Sequence, residues 1–180
     1  MADDKKEKWM NYMAITTVLI AVCATFSTFK GGGYSTKSLL NQTLASDQWA
    51  FFEAKSLKSY IFEMQKDNLE LQMGMISKSP ASQDMLDKYQ KKVDVYSKKL
   101  KQYEEDKADI KKTANGFEAE RDDCKKHSSA FGIAVIFLQI SILLSSISAL
   151  AKKHYIYYLS LIVGAAGVVY FFDGFFLFLK

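Results

Sequence analysis

Proline and cysteine are almost missing from this chain. In 180 residues there is one proline, Pro80, and there are two cysteines, Cys23 and Cys124. Soluble proteins average ~5% proline, so the scarcity argues against turn-rich and all-β folds. Cys23 lies within an apolar run and Cys124 lies outside one. A disulfide needs Cα atoms within ~7 Å, so no bridge is expected. Histidine is as scarce, with only His127 and His154, and no pair of ligand residues has metal-site spacing. No metal or other cofactor is expected. A strong surplus of one charge is also lacking. The 24 basic residues face 20 acidic ones, for a net charge of +4, which gives no reason to expect a nucleic-acid partner.

Three stretches lack charge almost entirely. Trp9–Phe29 has 21 residues with no charge, Ser128–Ala151 has 24 with none, and Tyr155–Leu179 has 25 with one, Asp173. A helix needs ~20 apolar residues to cross the hydrocarbon of a bilayer, and unpaired backbone groups in lipid force such segments to be helical. Trp9 and Tyr12 at the first stretch, and Tyr155, Tyr157 and Tyr158 at the third, sit where interfacial aromatics belong. The first stretch is read as an uncleaved anchor, because it is longer than the ~7–15-residue core of a signal peptide.

The expected layout is a short tail over 1–8, a transmembrane helix over 9–29, an extramembrane segment over 30–127, and transmembrane helices over 128–151 and 155–179. Three crossings place the N-terminus and the Lys152-Lys153 turn on one side. The short turn carries more topological weight than the long segment. It is therefore assigned to the cytoplasm, and the 30–127 segment to the periplasmic or extracytoplasmic side.

The charges excluded from the apolar stretches are concentrated in 30–127, which holds 18 of the basic and 16 of the acidic residues. Pro80 behind Ser79 reads as a helix start, with a turn near 74–80. Helices over about 36–76 and 80–127 then form an antiparallel hairpin. In the second helix, Tyr89, Tyr96, Tyr103, Ile110, Phe117 and Cys124 alternate with Leu86, Val93, Leu100, Lys107, Ala114 and Arg121 at the spacing a coiled coil requires. In the first, the pattern chosen is Leu40, Asp47, Ala54, Ile61 and Asn68 with Thr43, Ala50, Leu57, Met64 and Leu71. Folding the two about residue 77 pairs Ile61 with Val93, and Asp47 with Lys107 as a buried charge pair that fixes the register.

Off that pattern lie Trp49, Phe52, Phe62 and Leu69, which read as an exposed interaction face. The second span carries Ser141, Ser145 and Ser148, and the third carries Ser160, Gly164 and Gly167. Small residues let helices approach closely in lipid, so a tight antiparallel pair is expected. Gln139 reads as an interhelical hydrogen-bonder and Asp173 as an intramembrane acid near an interface. No nucleophile–base pair or carboxylate dyad is visible, so the chain is not expected to be an enzyme. Gly31-Gly32-Gly33-Tyr34-Ser35-Thr36-Lys37-Ser38 lacks the glycine and the preceding strand of a phosphate-binding loop.

The run Ala45-Ser46-Asp47-Gln48-Trp49-Ala50-Phe51-Phe52-Glu53-Ala54-Lys55-Ser56-Leu57-Lys58 resembles the signature of a bacterial family of small membrane proteins of unknown function, whose members typically read ASDQWAYYQAKSIK. The resemblance extends to Thr28–Ser35 and to Phe171-Phe172-Asp173-Gly174-Phe175. It implies the span–hairpin–span–span layout in a bacterial inner membrane, and no activity.

The resulting expectation is an all-α membrane protein, three transmembrane helices with a long antiparallel coiled-coil hairpin between the first and second. Its role would be structural or interactive, with self-association into a homo-oligomer through the hairpin and the small-residue stripes. The bilayer, further copies of the chain and an unidentified protein are the expected partners. The alternative is a subunit of a transporter or channel using Asp173 and Gln139.

Overall fold

The computed structural model describes the backbone of residues 2–76 and 80–179 and the side chains of 9–76 and 83–179. It is built of three helices: α1 over Ala2–Met75, α2 over Pro80–Ala151 and α3 over His154–Phe176, with no strand among the described residues. Each contains a stretch long and apolar enough to cross a membrane. Pro80 opens α2, where its missing N–H and fixed φ are compatible with a helix. Residues 77–79 of the expected turn, Ser79 among them, lie outside the described residues.

α2 and α3 are joined within two residues. Lys152 takes the left-handed conformation at φ 54°, Lys153 is extended, and Ser148 Oγ donates to the Lys153 carbonyl at 2.9 Å. This bond ties the carbonyl of the residue that precedes α3 back to the last turn of α2.

The chain divides into two compact units. One holds residues 41–119, where α1 and α2 run antiparallel. Phe62 lies between Tyr96 and Tyr103, with ring centroids 5.4 and 5.7 Å away, and Trp49 Nε1 donates to Glu118 Oε1 at 2.9 Å. On α2 the expected seam faces inward: Val93 and Ala114 are buried, and Leu86, Tyr89, Tyr96, Leu100, Tyr103 and Ile110 are half-buried.

On α1 the expected seam is wrong. Leu40, Leu57, Ile61, Met64 and Leu71 are all exposed, as are Asp47, Ala50, Ala54 and Asn68. The inward stripe is Asn41, Ala45, Gln48, Phe52, Lys55, Ser59, Phe62, Lys66, Leu69 and Met73. It has the same heptad period, displaced by two residues, which turns it about 200° around the helix. It is also the more polar stripe. It works as a seam because lysines lay their stems on apolar surface and keep their heads in charge contacts. Lys55 Nζ meets Asp106 Oδ2 at 2.5 Å and sits 5.3 Å from the centre of the Tyr103 ring, while Lys66 pairs with Glu70 at 3.5 Å. The large rings of Phe52, Phe62 and the facing tyrosines supply the bulk that these polar positions lack.

The other unit holds residues 1–40 and 120–180. Here α1, α2 and α3 pack around Ala24, Ala134 and Leu138, with Ile20, Ile142, Val168 and Phe171 against them. Hydroxyls tie the helices together. Thr17 Oγ1 and Ser145 Oγ are 2.6 Å apart, Thr16 Oγ1 and the Tyr157 hydroxyl are 3.1 Å apart, and Ser141 Oγ donates to the Ser160 carbonyl at 2.6 Å.

Candidate functional site

The three-helix unit carries its polar and aromatic chemistry at two levels. Near the α2–α3 turn, Trp9 packs on His154 with ring centroids 4.2 Å apart and meets Tyr157 edge-on. Between the levels runs the contact of small residues. Ser141, Ser148 and Ser160 are fully enclosed, and Ser145, Gly164 and Gly167 are buried with them. A Cβ on Gly164 would come 2.8 Å from Ser141 Oγ, and one on Gly167 would come 2.8 Å from Leu138 Cγ. Glycine is required at both places by the closeness of α2, not by backbone conformation.

The second level is centred on Phe131, which is fully buried. The bare backbone of two glycines admits it. A Cβ on Gly31 would lie 2.9 Å from Phe131 Cβ, and one on Gly174 would lie 2.7 Å from its ring. Phe171 and Phe175 meet the ring edge-on at 6.2 and 5.0 Å. One turn before it, His127 Nδ1 donates to the Gly174 carbonyl at 2.8 Å, which sets the tautomer. Tyr34 stacks on the His127 imidazole at 4.6 Å, and Ser128 Oγ donates to the Gly31 carbonyl at 3.1 Å. The glycine-rich stretch after the first apolar run and the Phe171–Phe175 stretch thus meet at one node.

Asp173 borders the node. It is buried, and Oδ1 accepts from the Leu179 amide at 2.6 Å while its backbone carbonyl accepts from the Leu177 amide at 2.7 Å. The expected intramembrane acid therefore ties down the end of α3. Beside it is an open groove of about 940 Å³ bordered by Asp122, Lys125, Lys126, Ser129, Tyr170 and Leu177. At its rim, Arg121 Nε donates to Asp122 Oδ1 at 2.9 Å. That hydrogen bond, aided by the positive charges of Arg121, Lys125 and Lys126, holds the Asp122 carboxyl below its ordinary value.

Three further expectations need correction. Gln139 was expected to bond across helices, but it is exposed and makes no hydrogen bond among the described residues. The Asp47–Lys107 pair is not formed: Asp47 is exposed and Lys107 pairs with Glu104 at 2.5 Å. The cross-helix charge pair is Lys55–Asp106 instead. Phe52, Phe62 and Leu69, expected on an outer face with Trp49, belong to the inward stripe, and Trp49 bonds to α2 and packs edge-on against Phe52. A two-residue error in the α1 seam exchanges the inside and outside of that helix, so the second and third corrections share one cause.

Phe131 and the role of His127 are not among the residues expected from sequence. A signal for Phe131 was present: the heptad through Tyr103, Ile110, Phe117 and Cys124 reaches it in one more step.

Among the described residues, no three His, Cys, Asp or Glu side chains gather at a point that would hold a metal. Cys23 and Cys124 are both free thiols. The arrangement can lock helices and present grooves.

The sequence profile of a family described as a domain of unknown function, DUF4337, matches residues 9–177. The chain belongs to this family. No curated protein and no solved structure matches it.

Proposed function

We propose that the chain is an integral protein of a bacterial inner membrane, spanning it at 9–29, 128–151 and 155–179. The 30–127 segment lies on the extracytoplasmic side. The protein acts as a structural or interaction module that self-associates, and not as an enzyme.

The observation that carries self-association is the outward face of α2. Gly132, Gln139 and Ser146 alternate with Ser129, Ile136, Leu143 and Leu150 at heptad spacing, and all seven are exposed. Gln139 stands at the middle of the 128–151 stretch. An unpaired carboxamide in hydrocarbon costs several kcal/mol, whereas two carboxamides from two copies satisfy each other. Gly132, against which an added Cβ would meet nothing within 4 Å, leaves room for close approach. The contact on this face replaces the Trp49/Phe52 face as the expected site of association. The stripe of Ser141, Gly164 and Gly167 serves packing within one copy.

The test is energy transfer between labelled copies in vesicles. Interhelical hydrogen bonds in membranes contribute ~0.6–2 kcal/mol, so Gln139→Leu should weaken association ~3–30-fold. A wild-type chain that stays monomeric would overturn the reading.

The transporter or channel reading draws on one observation, the groove of about 940 Å³ beside Asp173. Gln139 and Asp173 do not support it jointly, because one is exposed and the other buried. Ion flux through vesicles that is lost in Asp173→Asn, with assembly intact, would favour it.

A further inference from the structure

Within the 41–119 unit, α1 carries two heptad stripes and uses one. The unused stripe sets Ala54, Ile61, Asn68 and Met75 in alternation with Ala50, Leu57, Met64 and Leu71. All are exposed, the five large apolar side chains among them by 47–81%. A contiguous apolar band on an extramembrane helix marks a contact surface, and a 3.5-residue period calls for another helix as its partner.

We infer that this stripe is the seam of a parallel coiled coil between the α1 helices of two copies of this chain. Three features select a second copy. With Ala54, Ile61, Asn68 and Met75 at the a positions, Glu53 falls at g and Lys58 at the following e. In a parallel pair each g residue faces the partner's next e, so Glu53 meets Lys58 of the second copy twice by symmetry. An antiparallel pair would set glutamate against glutamate and lysine against lysine. Among the described residues, neither Glu53 nor Lys58 is ion-paired within the chain.

Asn68 is the second feature. A single asparagine at an a position is self-complementary and specifies register in two-stranded parallel coils. The third is orientation. Two copies rooted in one bilayer present α1 in the same direction; this step rests on the membrane reading proposed above. Asp47, at the preceding a position, would face its own copy and repel it, so the seam runs from Ala50 outward.

The experiment uses the full-length chain with Cys23→Ser and Cys124→Ser, in native membranes. Single cysteines are placed at Leu57 and Met64 on the seam, at Glu63 off it, and at Ile136 on the outward face of the span. Mild oxidation should give disulfide-linked dimers from Leu57→Cys and Met64→Cys and none from Glu63→Cys. Lys58→Glu should lower the dimer yield several-fold, and Glu53→Lys added to it should restore the yield. Seam cysteines that link no better than Glu63→Cys would overturn the inference. If Ile136→Cys then still links, the span contact survives and only the α1 seam is lost. If neither links, both readings fall. All the substituted seam positions are exposed, so an unchanged helical circular dichroism spectrum accompanies each variant.

Discussion

The ring of Phe131 occupies the space that a side chain on Gly174 would need, with only 2.7 Å between it and the position of an added Cβ. Phe131 is fully buried and shared by α1, α2 and α3 through Gly31, Phe171 and Phe175, so it has little room to retreat. Forcing a methyl into such a packed site costs ~1–3 kcal/mol. Gly174→Ala should lower stability by that amount in a thermal melt of the purified protein. Gly32→Ala is the contrast. Nothing lies within 4 Å of its added Cβ, and alanine exceeds glycine in helix propensity by ~1 kcal/mol, so this variant should melt higher. Equal effects from the two would show that Phe131 is not the wedge.

Lys55 and Asp106 provide a second test. Their side chains are about a third exposed, so solvent screens the pair and a double-mutant cycle should give a coupling of ~0.2–1 kcal/mol. Lys55→Ala should cost more than the coupling alone, because its stem and its contact with Tyr103 are lost as well. Asp47→Ala, at an exposed position, should stay within ~0.5 kcal/mol of wild type. A marked loss in Asp47→Ala would return the seam to the other face of α1.

The helices themselves were legible because their signals are long. Runs of 21 to 25 residues with at most one charge and an unbroken heptad from Leu86 onward admit few readings. The stripe of serines and glycines could also be found, since small residues at helical spacing have one main use in apolar helices. The face of α1 could not. Leu57, Ile61, Met64 and Leu71 make the more apolar stripe, and hydrophobicity alone places them inside. The observed seam instead turns Lys55, Ser59 and Lys66 inward beside Phe62, which becomes evident only when the tyrosines and Asp106 of α2 are set opposite. A helix with two apolar stripes does not say which belongs to its own chain. The contacts of His127 and Phe131 with Gly174 join positions more than 40 residues apart, and no local pattern reports such pairs.

Acid should act on Asp122 in a defined direction. The hydrogen bond from Arg121, with the neighbouring lysines, lowers its pKa in the folded chain. A depressed folded pKa means that the folded state holds its proton less tightly than the unfolded chain does. The associated stability is complete above the unfolded value and fades as pH falls through the folded one. Carbon-detected titration should place the Asp122 midpoint below the ordinary carboxylate value, and Arg121→Gln should raise it. An unchanged midpoint in that variant would remove Arg121 as the cause.

Asp173 separates a structural role from a transport role. Its carboxylate receives the Leu179 amide at 2.6 Å, and Leu177, in the left-handed conformation at φ 50°, turns the chain so that this contact can form. Hydrogen bonds to charged groups contribute ~1.5–3 kcal/mol. Asp173→Ala should therefore speed exchange of the Leu179 amide by ~10–100-fold, while Asp173→Asn, which keeps an acceptor oxygen, should change it far less. The Leu177 amide bonds to the backbone carbonyl of residue 173 and should respond weakly in both variants. A transport role orders the variants differently, because asparagine removes the charge that an ion pathway would need. Leu179 protection retained in Asp173→Asn, with no change in vesicle flux, would place the carboxylate in the architecture of the α3 terminus.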